Sequence, residues 1–259
     1  MSESKKRAVA VSMVLFLVGI IIALLPWFHK LWVNYTMHRD VQAFLNYVEV
    51  KPYVPGESIF NPSTIQEEDA NETAPPIEHT QLWLDMKAYN ETIFREGQTG
   101  LSDPSAYEEA SFRLTDYGLE SEVFGVLSIP RLELDMPIYL GATKQNMANG
   151  AAVMGQTSLP IGGSNTNCVL AGHRGWNGAA YFLYINRLEP GDTVTVTNLW
   201  ETLTYEVVDM QIISPNDVDA IHIQPGRELL TLLTCHPPAS GGKQRYLVFC
   251  ERIDNMEVS

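Results

Sequence analysis

From Ala8 to Phe28 the chain runs 21 residues without a charged side chain, through Val14-Leu15-Phe16-Leu17-Val18 and Ile20-Ile21-Ile22. As a helix that stretch is about 31 Å long at about 1.5 Å per residue, enough to cross a hydrocarbon core. A cleaved secretory leader carries a shorter apolar run that ends in small residues. Here the run closes on Leu24-Leu25-Pro26-Trp27, so an uncleaved anchor is expected, and with no second run of that length the chain is expected to cross once. Further on, Val41, Phe44, Leu45 and Val48 recur at i, i+3, i+4 and i+7, the signature of one helix face, with Pro52 and Pro55 to end it. A second stripe, Leu82, Met86, Tyr89 and Ile93, is stopped by Gly97 and Gly100. Both helices are expected to pack against the rest of the molecule.

Between those helices, residues 54–78 hold Pro55, Pro62, Pro75 and Pro76 among Glu57, Glu67, Glu68, Asp69 and Glu72, a composition that resists packing and reads as a linker or loop. From Val123 the period changes to that of strands. Residues 123–129, 137–140, 167–171, 193–197, 203–209, 229–234 and 246–249 are short runs rich in β-branched or aromatic residues. Thr193-Val194-Thr195-Val196-Thr197 alternates strictly, so one face meets a core and the other water. Leu229-Leu230-Thr231-Leu232-Leu233 is almost continuously apolar, as in a strand covered on both faces. Short strands at this spacing predict an all-β fold, closed or sandwiched, with few helices.

Charge adds a direction. The chain has 17 Lys+Arg against 31 Asp+Glu, a formal charge of −14, which argues against a nucleic-acid partner. Lys5, Lys6, Arg7 and Lys30 outweigh Glu3, so the first thirty residues are basic and the body carries all the acidity. Cations ahead of the apolar run predict the N-terminus inside and the body outside the cell. Three Asn-x-Thr triplets, at Asn34, Asn71 and Asn90, matter only in a eukaryotic secretory host.

Three cysteines cannot form a disulfide framework, and the odd count leaves at least one thiol unpaired. Cys235 closes the apolar strand in TLLTC, and His236-Pro237-Pro238 breaks the strand behind it, leaving the thiol at a loop. Cys168 and Cys250 fall in mid-strand and read as small apolar fillers. A thiol becomes a nucleophile only when a base or a cation draws off its proton. His173, where the strand of VLAGHRGW runs into a loop, is the best base. Arg245 opens the next strand, ten residues after Cys235. If the two strands form a hairpin, its guanidinium lies beside the thiol, facing the oxygen that turns negative when a thiolate attacks a carbonyl. His236 is the rival base, but neighbours on a strand point to opposite faces. By the same alternation Arg174 faces away, though it retains an electrostatic role. The remaining histidines, His29, His38, His79 and His222, look like surface or packing residues. Paired Cys/His spacings for zinc and a Gly-rich phosphate loop are both missing, so neither metal nor cofactor is expected. The plain alternative is that each of the three is a structural residue, and the barrel then binds peptide without cutting it.

The pieces FGVLSIPRLELDMPIYLG, GQTSLPIGGSNTNCVLAGHRGW, LEPGDTVTV and TLLTCHPP followed by Arg245 resemble the sortases, cysteine transpeptidases of Gram-positive cell surfaces. The wording is nearest to class C, which polymerises pilins. The resemblance implies an eight-stranded sortase-type β-barrel over 123–259, an anchor over 1–30 and a helical, acidic region over 31–100. It implies a lid segment and connection over 101–122, with Asp103 and Pro104 as the lid residues. It further implies that Cys235 attacks an LPXTG-like sorting signal to form a thioester, that Arg245 steadies the oxyanion, and that His173 handles the protons. The partners so implied are a surface or pilin protein carrying that signal, an amine acceptor (a pilin lysine or a cell-wall precursor), and the membrane.

Overall fold

The computed structural model describes residues 3–49, 79–101, 110, 112–176 and 178–253. The apolar stretch and the first amphipathic stripe belong to one helix, α1 (Glu3–Glu49), which continues through Pro26. Proline removes one backbone donor and crowds the preceding turn, yet the helix runs on past it. Residues 12–32 of α1 are exposed on every side, and the helix is long and apolar enough to cross a membrane. Past residue 32 only one side is covered: Val33, Met37, Val41 and Phe44 are buried. The Tyr139 hydroxyl donates to Asp40 at 3.3 Å, adding a polar contact between α1 and the body.

Helix α2 (Thr80–Glu96) buries Leu82, Met86, Asn90 and Ile93 and ends at Gly97, whose φ of 72° an L side chain would resist. Beyond it come β1 (Val123–Ile129), β2 (Leu134–Leu140), α3 (Lys144–Asn149), β3 (Ala151–Val153), β4 (Thr166–Ala171), β5 (Arg174–Trp176) and β6 (Ala179–Tyr181). The chain finishes with β7 (Thr193–Thr197), β8 (Thr202–Ile213), β9 (Glu228–His236) and β10 (Gln244–Arg252). Eight strands close a barrel in the order β1-β2-β3-β4-β9-β10-β8-β7, and β5-β6 form a separate hairpin. The pairs β2·β3 and β4·β9 are parallel and the other barrel pairs antiparallel, so the barrel is mixed.

Side-chain alternation then sorts the core. Val194, Val196, Leu230, Leu232 and Val248 point into the barrel, and α1 and α2 extend that core through Val33, Met37, Leu82 and Met86. Ala171, Leu233, Leu247 and Phe249 face outward into a second apolar cluster with Met147 of α3 and Ile221. β9 is therefore covered on both faces, as its composition requires.

Candidate active site

The parallel pairing of β4 with β9 brings two strand ends to one level. Their register couples Ala171 to Leu233, and one residue on the Gly172 amide still donates to the Leu233 carbonyl at 3.0 Å. The Thr234 hydroxyl donates to the Gly172 carbonyl at 2.7 Å, locking the ends together from the other side. His173 and Cys235 follow immediately. Two residues beyond Ala171 and Leu233, which both face the outer cluster, they emerge on the outer side of the barrel. Gly172 itself has no room for a side chain: a Cβ there would stand 2.6 Å from the Phe182 ring.

β9 and β10 form the hairpin that the spacing suggested, and its register sets Cys235 opposite Arg245. Arg245 is 2 % exposed. Its Nη1 donates to the Gly242 carbonyl at 2.6 Å and the Gln244 carbonyl at 3.0 Å, which aims the guanidinium across the hairpin end. Gly242, at φ 78°, folds the connecting loop back onto the pair. A Cβ at that residue would lie 3.0 Å from Arg245 Nη1 and 3.4 Å from Cys235 Sγ, so guanidinium and sulfur flank one small space. Cys235 is half-buried, whereas Cys168 and Cys250 are fully enclosed and burial pushes their thiols far up.

His173 is half-buried too. The Trp176 ring stacks on it at 4.7 Å and 19°, and Tyr181 meets it edge-on at 5.8 Å. Tyr181 is fixed in turn by a 2.6 Å hydrogen bond from its hydroxyl to the Ala148 carbonyl. Desolvation within this aromatic bracket lowers the His173 pKa, favouring the neutral imidazole that accepts a proton. His236 turns to the opposite side of β9, where its ring lies 5.7 Å from Tyr246. Arg174 is buried against that same Tyr246 ring, its guanidinium 5.2 Å from the centroid, and donates to Asn186 at 2.8 Å. Asp103 and Pro104 lie outside the described residues. Among the described residues there is no cluster of His, Cys, Asp and Glu able to hold a metal. Trp176, Tyr181 and Gly242 are contributors that strand periodicity does not reveal, because a short hairpin and a loop bring them in.

A neutral imidazole, a half-exposed thiol and a fixed guanidinium at one barrel end make a set suited to acyl transfer through sulfur. Residues 127–253 match the model of the Sortase domain family. The chain is 30% identical to Sortase A of Streptococcus agalactiae over 50% of this chain and 52% of that relative, so the match spans about half of the relative's length. Among solved structures, Sortase C1 of GBS Pilus Island 1 superposes with a TM-score of 0.67 at 27% identity, covering 86% of this chain and 95% of the other. Group B Streptococcus Pilus Island 1 Sortase C2 is 32% identical with a TM-score of 0.61, covering 70% and 100% respectively.

Proposed function

The chain belongs to the sortase family, and from that premise we propose that it is a membrane-anchored cysteine transpeptidase that builds pili. The observation that carries the reading is the strand register, which sets Cys235 opposite Arg245 and brings the end of β4, two residues before His173, beside β9 at Leu233. Neutral His173 takes the Cys235 proton, and the thiolate attacks the threonine carbonyl of an LPXTG-like signal. Arg245 holds the oxyanion as the tetrahedral intermediate forms. That intermediate collapses to a thioester, the C–N bond breaks, and the imidazolium gives its proton to the departing amine. An incoming amine then attacks the thioester, loses its proton to His173 and restores the thiol. α1 anchors the enzyme, with Lys5, Lys6 and Arg7 inside and the barrel outside. Asp103 and Pro104 take the role of a lid on the resemblance of Leu101-Ser102-Asp103-Pro104 alone; Asp103→Ala is expected to raise turnover of a soluble peptide.

Pilin lysine is the proposed acceptor, supported by the similarity to sortases C1 and C2 of a streptococcal pilus island. Incubation of the protein with an LPXTG-type peptide and either a lysine-bearing pilin segment or a cell-wall cross-bridge amine, followed by mass analysis, tests it. Amide product with the lysine supports pilus assembly. Product with the cross-bridge amine alone reassigns the enzyme to wall anchoring. No cleavage with either, together with Cys235 reacting with a thiol probe no faster than Cys168, would leave a peptide-binding module.

A further inference from the structure

α1 leaves its uncharged stretch at Phe28, and the next turn of the helix touches the barrel in an unexpected place. The β5–β6 turn rests on it: a Cβ at Gly178 would lie 3.2 Å from the Lys30 Cβ. Between the helix and this hairpin opens a cleft of about 610 Å³. Lys30 and Asn34 line it from α1, Arg174, Trp176 and Tyr184 from the hairpin side, and Pro238 from the loop behind Cys235. Lys30 and Asn34 are one helical turn apart and so share a face.

The charges that line this cleft among the described residues are of one sign. Among the described residues its walls hold two cations, Lys30 and Arg174, and no carboxylate, in a chain of formal charge −14. Arg174 is 8 % exposed, and its Nε and Nη1 have no hydrogen-bond partner among the described residues. A buried guanidinium with unused donors is costly unless an acceptor reaches it. Burial lowers its pKa, and the groups acting the other way are the Tyr246 hydroxyl and the Cys235 thiol rather than an acid. The cleft also sits at a defined depth. Lys30 stands two residues past the uncharged run, about 3 Å along the helix axis. Trp27, Trp32, Trp176 and Tyr184 are all exposed at this level or beside the cleft, as aromatic residues are at a lipid–water boundary.

We propose that the cleft between α1 and the β5–β6 hairpin holds the phosphate of an anionic lipid headgroup, gripped by Lys30, Asn34 and Arg174. The occupant is set by charge complementarity and by depth: the bilayer that α1 crosses presents phosphate where the cleft opens. The inference rests on α1 being a membrane anchor. A bound headgroup seats the hairpin on the bilayer and so fixes Trp176, whose ring covers His173.

The test uses the full chain in two assays, flotation with vesicles and native mass spectrometry of the micellar protein titrated with phosphatidylglycerol or phosphatidylcholine. Wild type is expected to float and to retain one phosphatidylglycerol about tenfold more tightly than phosphatidylcholine. Lys30→Gln, on the exposed face of α1, is expected to weaken that retention about fivefold, as is Arg174→Gln, with flotation unchanged. Paired Lys5→Gln and Lys6→Gln, at the other end of the helix, should leave it intact. Equal retention of the two lipids, or retention indifferent to Lys30→Gln, would overturn the cleft while leaving the anchor standing. Ready displacement by inorganic phosphate would overturn a lipid occupant in favour of the free anion. Failure to float would overturn the anchor itself, and this inference with it.

Discussion

At Gly242 a single hydrogen atom separates a working geometry from a collision. The Cβ of an alanine would meet Arg245 Nη1 at 3.0 Å, and φ 78° already disfavours any L side chain. Gly242→Ala is therefore expected to push the guanidinium aside and to lower kcat/KM about 10²-fold, with a smaller effect on thermal stability; unchanged kinetics would show that Arg245 tolerates the shift. Trp176→Ala opens one face of the imidazole to water. Because burial lowers the His173 pKa, removing the ring is expected to move the acid limb of the pH–rate profile upward, and Trp176→Phe should restore it. The same shift links to folding. With the native pKa below the unfolded value, the unfolded chain binds the proton first as the pH falls. The contribution is present in full above the ordinary imidazole value of about 6.5 and is lost as the pH drops through the lowered one. His173→Gln should accordingly lose less thermal stability on acidification than wild type, measured by melting curves across that window. Cys235, His173 and Arg245 could be singled out in the sequence because each stands at a strand end next to glycine, proline or polar residues. Trp176 and Gly242 could not, since their neighbours are chosen by a hairpin of two three-residue strands and a loop with left-handed residues.

Helix α2 illustrates what a hydrophobic stripe conveys and what it conceals. The pattern gives Leu82, Met86 and Ile93 correctly, but the fourth fully buried position is polar. Asn90 is 6 % exposed; its amide donates to the Leu159 carbonyl at 3.2 Å and its Oδ1 accepts from the Leu159 amide at 2.8 Å. That reciprocal pair clips α2 onto the segment ahead of β4, and it leaves the Asn90-Glu91-Thr92 triplet no outward amide to modify. Asn90→Ala strands both backbone groups of Leu159 and is expected to cost about 1–3 kcal/mol, read as a lowered melting temperature. Among strands, β1 and β7 match their sequence runs to the residue, β7 because strict alternation over five positions is a strong signal and β1 because its apolar run stops at Pro130. β3, β5 and β6 span three residues each, shorter than a period can be read. Pairing partners were the other hidden quantity: that β4 runs parallel to β9, which decides the site, depends on the whole barrel's order.

Across the whole molecule, α1 belongs to two environments. Residues 12–32 are exposed, Lys30 meeting the β5–β6 turn at Gly178, whereas Val33, Met37, Val41 and Phe44 are part of the body's core. Removing residues 1–30 should thus give a soluble body of near wild-type stability. Removing residues through 49 would uncover Val123, Val126 and Tyr139 and lower the melting temperature by several degrees, about the effect of losing a few core side chains. The proposed chemistry requires one thing above all, that the Cys235 thiol at the end of β9 carry the acyl group. Intact-mass spectrometry of the protein mixed with an LPXTG-type peptide, quenched in acid before an amine is added, measures that directly. The expected result is a mass increase equal to the threonine-ended peptide fragment less one water, removed by hydroxylamine and absent from Cys235→Ala. An adduct that persists in Cys235→Ala, or a wild-type protein that cleaves the peptide with no thioester trapped at any time point, would contradict it.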